Sequence, residues 1–226
     1  MNKRLILTIA AALTAVPFLL LPNAASAGFF GSRCSGTSTC VGAISATGNM
    51  VFEESSGLRI TCSEAGGSAS FFENTSTGEA RLLLAGCKES VFGTNCGNTV
   101  TAGQITTNNL SSHLIYLEQD KSIKGLLLTG LNVTLSCTSG AIKKTITGNV
   151  MGEIENPECG VFRTHHTVLF EAGISTGSQR WTSITTSGTI FDLTMNNDSG
   201  GAYSTTSLSG TVHITYEAGT SVVFNC

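Results

Sequence analysis

Leu131-Asn132-Val133-Thr134-Leu135-Ser136-Cys137 decides the fold class, because apolar and polar side chains alternate along it residue by residue. A period of two sends successive side chains to opposite faces of a strand, so this segment buries one face and wets the other. Val212-His213-Ile214-Thr215-Tyr216 repeats the pattern near the far end of the chain. Short β-branched and aromatic runs recur around these two, at residues 58–62, 79–84, 113–117, 148–154, 166–171, 189–194, 210–216 and 221–225. Gly, Ser, Asn and Thr separate them, and turns are expected at Ala65-Gly66-Gly67, Asn156-Pro157 and Asp198-Ser199-Gly200-Gly201. Helix signals are nearly absent after Ala27. The spacing predicts an all-β fold, an antiparallel β-sandwich or barrel-like arrangement.

The N-terminus reads differently. Lys3 and Arg4 precede an apolar run over residues 5–21, which ends at Pro22-Asn23 and is followed by Ala25-Ser26-Ala27. A charged start, an apolar middle and a small-x-small exit describe a secretory signal peptide over residues 1–27, a helix ahead of the domain. The mature chain is expected to begin at Gly28. Without Lys3 and Arg4, 10 of the 12 basic residues remain against 15 acidic ones, a formal charge of −5. That sign argues against nucleic acid and anionic membranes as partners. Only 12% of the chain is charged, so solubility must come from the hydroxyls and amides of outward strand faces.

All eight cysteines, Cys34, Cys40, Cys62, Cys87, Cys96, Cys137, Cys159 and Cys226, come after the leader. An even count in an exported chain reads as four disulfides. Cys87 and Cys96 enclose eight residues and adjoin Gly86 and Gly97, a spacing that suits a local clip across a hairpin. Cys34 and Cys40 enclose five residues, also closable. Cys62 and Cys137 end similar strands, which suggests a long-range staple between them. Cys34, Cys40, Cys159 and Cys226 would share the remaining two bonds. The Cys-x-x-Cys pairs of a zinc site do not occur.

Two internal echoes exist. Gly57-Leu58-Arg59-Ile60-Thr61 resembles Gly130-Leu131-Asn132-Val133-Thr134, and Ile60-Thr61-Cys62-Ser63-Glu64-Ala65-Gly66 resembles Ile214-Thr215-Tyr216-Glu217-Ala218-Gly219. With three prolines and no Pro-rich linker, residues 28–226 read as one secreted domain, or as two sandwiches sharing an interface near residues 126–137.

Leu82-Leu83-Leu84-Ala85-Gly86-Cys87, then Cys96, then Gly103-Gln104-Ile105-Thr106-Thr107 form one half of a longer pattern. Gly125-Leu126-Leu127-Leu128, Leu135-Ser136-Cys137 and Gly148-Asn149-Val150-Met151-Gly152-Glu153-Ile154 form the other. This order resembles a group of secreted actinobacterial proteins without an assigned function, over about residues 58–173. Where that pattern shows Leu-Gly-Tyr, this chain has Ser112-His113-Leu114-Ile115-Tyr116, and Cys34, Cys40, Cys159 and Cys226 lie outside it. The resemblance implies export and a β fold, and brings no catalytic residues.

Motifs for chemistry are sparse. Gly173-Ile174-Ser175-Thr176-Gly177 matches a nucleophile elbow, but that chemistry needs a strand-to-helix turn and a downstream His with a carboxylate. The next residues are Ser178-Gln179-Arg180-Trp181, so a hairpin turn is expected instead. His165 and His166 must point to opposite strand faces, which leaves at most one to join His213 and Glu171 around a zinc ion. Outward or half-buried strand positions are expected for His166 and His213. Glu53-Glu54 and Glu153 with Glu155 could do glycosidase work in principle, and surface solvation explains them more simply. Trp181 beside Arg180 is expected in the core rather than on a contact patch. Sequons at Asn74, Asn109, Asn132 and Asn197 matter only in a host that glycosylates them.

Three functional classes remain: a non-catalytic extracellular or cell-surface module (structural, adhesive or ligand-binding), a secreted hydrolase, and a secreted β-rich membrane-active protein. Low charge, hydroxyl-rich strand faces and four staples favour the first. The expectation is a protein that is not an enzyme, with no cofactor and no metal. Its partner is an extracellular or cell-envelope ligand, with self-association open and stable membrane insertion not expected.

Overall fold

The computed structural model describes residues 24–117, 122–138, 142–181, 183–186, 189–191, 193–197 and 204–225, so the expected leader helix lies outside them. The chain forms β1 (Ala24–Phe29), β2 (Gly31–Cys34), β3 (Thr39–Ala46), β4 (Met50–Glu54), β5 (Arg59–Cys62), β6 (Glu64–Phe72), β7 (Thr77–Ala85), β8 (Lys88–Glu89), β9 (Cys96–Gly97) and β10 (Ile105–Thr106). It continues with β11 (Leu110–Leu117), β12 (Lys124–Cys137), β13 (Lys143–Ile154), β14 (His165–Phe170), β15 (Ser183–Thr186), β16 (Thr189–Phe191), β17 (Leu193–Asn197), β18 (Ser204–Tyr216) and β19 (Val222–Asn225). The fold is all-β and almost wholly antiparallel, with one parallel ladder among the described residues, between β1 and β15.

The hydrogen-bonded ladders run in two circuits. From β3 they pass through β6, β7, β11, β12, β13, β14 and β18 and return to β3. Eight antiparallel strands enclose an interior just wide enough for side chains to fill. Here Phe71, Leu82, Leu114, Leu126, Val168, Phe170 and Ile214 fill it, each at most 3% exposed. A second circuit runs β4, β5, β8, β9, β12, β13, β17 and β18 and closes on β4. Phe52, Ile60, Val133, Leu135 and Ile146 lie inside it.

Three strands of 12 to 14 residues, β12, β13 and β18, serve both circuits and fuse the two rings. At the junction β12 bulges between Leu128 and Leu131. Gly210 is the corresponding point on β18. Its φ is +140°, and a Cβ there would lie 2.4 Å from the Met50 sulfur, so only glycine lets the strand cross from one ring to the other. One buried cluster spans both interiors. A second, of Ala27, Ile115, Leu117, Leu127 and Met151, sits outside the first ring, half-covered by Trp181. Leu126, Leu127 and Leu128 are therefore all buried, because β12 is covered on both faces there.

β1 begins at Ala24, inside the expected leader exit, and pairs Ala27–Phe29 against Leu117–Ile115 of β11. Cleavage after Ala27 would leave Gly28 and Phe29 as the first residues on β11. Ala65-Gly66-Gly67, expected as a turn, lies instead within β6. At Gly67 a Cβ would sit 2.0 Å from the Arg81 carbonyl oxygen, so the glycine there permits close approach of β7 rather than chain reversal.

The cysteine pairing corrects the spacing argument. The bonds are Cys34–Cys40, Cys62–Cys87 and Cys96–Cys137. Cys159 is also bonded, and Cys226 lies outside the described residues. Cys87 and Cys96 do flank a hairpin, with the Cys96 N–H donating to the Cys87 carbonyl at 2.9 Å. Their side chains nevertheless point away from each other's sulfur, one to β5 and one to β12. Cys62 and Cys137, expected to bond together, each hold one end of that hairpin. The two staples clamp it across the wall of the second ring.

Candidate functional site

β14 reads exposed, buried, intermediate, buried, intermediate, buried, so His165 faces water and His166 faces the first ring's interior. His166 is 7% exposed, against the expectation of an outward or half-buried position. Its ring lies against Phe224 of β19, centroids 4.2 Å apart, and its Nδ1 is 3.0 Å from the Tyr216 hydroxyl on β18. Phe224 in turn packs edge-on against Phe30 at 5.5 Å and Phe71 at 6.5 Å. β19 forms a ladder with β2 and isolated bridges to Cys159 and Arg163, and these two short strands plug the mouth of the ring.

The segment leading into β14 wraps around this plug. Arg163 and Val222 exchange backbone hydrogen bonds of 2.9 and 2.8 Å, and the Gly160 N–H donates to the Phe224 carbonyl at 2.9 Å. Between this segment and β14 opens a cleft of about 300 Å³, lined by Glu155, Asn156, Glu158, Arg163, His165 and the buried His166. Arg163 is ion-paired to Glu158. Burial pushes the His166 imidazole down to about 4, helped by the charges of His165 and Arg163. Burial also pushes the Tyr216 phenol up, so it stays protonated throughout.

The remaining candidates do not converge on this cleft. His213 faces outward from β18, its Nδ1 2.9 Å from the Thr167 hydroxyl, and His113 lies 5.9 Å from Phe29. Among the described residues no group of three His, Cys, Asp or Glu side chains is placed to hold a metal. Ser175 sits on an exposed turn closed by the Gly173 N–H donating to the Ser178 carbonyl at 2.6 Å, with no helix after it among the described residues. Glu153 and Glu171 both bind Arg180, whose guanidinium lies 5.2 Å over the Trp181 ring. Trp181 is thereby half-buried against the outer cluster rather than in a ring interior.

Of two further polar features, Glu54 corrects the expectation of a surface-solvated carboxylate, because it is buried, and Glu89 escaped the sequence. Glu54, 6% exposed, faces Lys144 inside the second ring, Oε2 to Nζ 3.1 Å, and accepts from the Ser204 hydroxyl at 2.6 Å. Burial pushes its carboxyl up, but Ser204, Lys144 and Ser56 outweigh that and leave it below the ordinary value. Glu89 turns under its own loop and accepts from the N–H groups of Val91, Phe92 and Thr94 and from the Thr94 hydroxyl. Burial raises this carboxyl, yet those donors hold it at about 2. The loop so fixed presents Val91 and Phe92 to solvent, 61% and 65% exposed.

No protein-family model, no curated protein and no solved structure matches this chain.

Proposed function

We propose that this chain is a secreted, non-catalytic module of the bacterial cell exterior that binds a ligand through the cleft over His166. The observation that carries the reading is the set of disulfides, whose six paired cysteines are 0–6% exposed, two of the bonds fastening one hairpin to the second ring's wall. Such bonds persist in oxidising compartments and are reduced in the cytosol. The leader ahead of the domain and the resemblance to secreted actinobacterial proteins agree with it.

The test is expression of the full-length chain in an exporting bacterium, followed by fractionation, N-terminal sequencing and thiol alkylation. The expected product is soluble, begins at Gly28 and has no alkylatable thiol. Recovery of reduced protein inside the cell overturns the reading. So does robust ester, peptide or glycoside turnover that is lost in Ser175→Ala or His166→Phe. A second reading, a membrane-active protein, draws on the rigid Val91-Phe92 tip. Vesicle leakage that depends on Phe92 would favour it over the binding module.

A further inference from the structure

His166 is more than nine-tenths buried, yet one of its nitrogens is left over. Nδ1 is taken by Tyr216. Nε2 has no partner among the described residues and is not sealed from solvent, so it opens on the cleft that His166 lines. The tautomer is set from the Tyr216 side. Among the described residues that buried hydroxyl finds only His166 Nδ1 as a partner, and a buried O–H without an acceptor costs about 1–3 kcal/mol. The Tyr216 hydroxyl therefore donates to Nδ1, and the neutral imidazole carries its proton on Nε2. The floor of the cleft is an N–H donor with nothing to donate to. It is also unsuited to a metal, which would need the Nε2 lone pair.

We infer that this cleft binds a carboxylate, which accepts from His166 Nε2–H with the Arg163 guanidinium at its side. Three observations select an anion over a neutral acceptor. The Arg163 guanidinium acts on the His166 ring as a positive charge. Arg163 contacts Glu158 through one terminal nitrogen, which leaves other guanidinium N–H groups for a second oxygen. Glu158 is itself neutralised by that pair. Glu155, exposed and without an ion pair among the described residues, is the one opposing charge at the rim. Tyr216 and Phe224, the groups packed against the ring, are uncharged. A bound carboxylate raises the His166 imidazole from its depressed value, so the complex takes up a proton and tightens as pH falls. Peptide C-termini and uronic-acid sugars share this chemistry.

The inference rests on the binding-module reading, and its test separates the two. The oxidised, secreted protein is followed by proton–nitrogen NMR of its histidine rings in carboxylate-free buffer while acetate, glucuronate, alanyl-alanine and alanyl-alaninamide are added. The free protein should show the Nε2–H tautomer at His166. Acetate should shift that signal saturably, with affinity rising by up to about tenfold per pH unit between pH 6.5 and 5. Alanyl-alaninamide should not bind, and the preference between alanyl-alanine and glucuronate assigns the natural source to a peptide or a sugar. Glu155→Gln should tighten acetate several-fold, Arg163→Met should weaken it about tenfold, and His166→Phe should abolish it. Should His166→Phe fail to fold, Tyr216→Phe removes the tautomer lock instead and should weaken binding. An Nδ1–H tautomer, absence of a saturable shift, or acetate binding unchanged in these variants overturns the carboxylate site while the secreted module stands. A reduced, intracellular product overturns the module whatever the titration gives.

Discussion

Acidification should loosen this protein through His166 before its carboxylates titrate. The imidazole is held at about 4 in the folded state, primarily by burial, against an ordinary value of 6.5. The unfolded chain therefore binds more protons than the folded one between those limits, and stability falls as pH falls. The contribution is fully present above pH 6.5 and is lost progressively towards pH 4. A shift of this size amounts to about 3 kcal/mol in full, and about 2.5 kcal/mol by pH 4.5. For a domain near 200 residues, that lowers Tm by roughly 5–10 °C. Denaturant unfolding at pH 7 and pH 4.5, in carboxylate-free buffer, measures it directly. His113, whose imidazole burial also lowers, adds in the same direction, so the His166→Phe variant supplies the difference. That variant keeps the stack on Phe224, leaves the Tyr216 hydroxyl without its partner, and should lose most of the pH dependence. Equal acid sensitivity in the two proteins would refute the assignment of the effect to His166.

Removing Cys96–Cys137 by paired alanine substitution should cost about 4 kcal/mol and removing Cys62–Cys87 about 3.5 kcal/mol, from loop separations of 41 and 25. The two loops do not interleave, so the losses should add, and denaturant curves of the two pair variants and their combination check both size and additivity. Glu89→Gln should speed amide exchange at Val91, Phe92 and Thr94, and wild-type protection there should fade as pH drops from about 4.5 towards about 2, the window of its lowered carboxyl. Non-reducing peptide mapping should find the fourth bond between Cys159 and Cys226, since Cys159 bridges Phe224 two residues before the C-terminus. A peptide linking Cys87 to Cys96 would contradict the arrangement of the second ring.

Side-chain contrast determines how much of this fold is legible in the sequence. β7, β11, β14 and β19, and the halves of β12, β13 and β18 over residues 131–137, 148–154 and 210–216, carry Leu, Ile, Val or Phe at buried positions and are visible as strands. β3 is Thr-Cys-Val-Gly-Ala-Ile-Ser-Ala, whose buried positions include a glycine at 42. A Cβ there would lie 2.8 Å from Ile214, so the space is filled from β18 and the period is invisible in β3 itself. β6 hides similarly behind its glycines. Closure into rings rests on pairings such as β3 with β18, far apart in sequence, which no local pattern encodes. His166 shows the limit of periodicity in another way. Alternation states that His165 and His166 face opposite ways, and only the packing of Phe224 and Tyr216 says which of them is inside.

The cysteines show why loop length alone misassigns a staple. Their spacing identifies Cys87 and Cys96 as the two ends of a hairpin, and a bond between them would be sterically easy. It would also add little, because backbone hydrogen bonds already hold those ends together and a short loop restricts the unfolded chain least. In the structure the same two positions reach outward instead, to β5 on one side and β12 on the other. Each bond then closes a longer loop and ties a two-residue strand to a wall it could not hold by ladder pairing alone. β8 and β9 supply only two residues apiece to the second ring. Their ladders to β5 and β12 have two residue pairs each, and the two covalent links are placed there. A staple is thus best predicted at the weakest ladder of a closed sheet, a position that becomes identifiable only once the strand order is known.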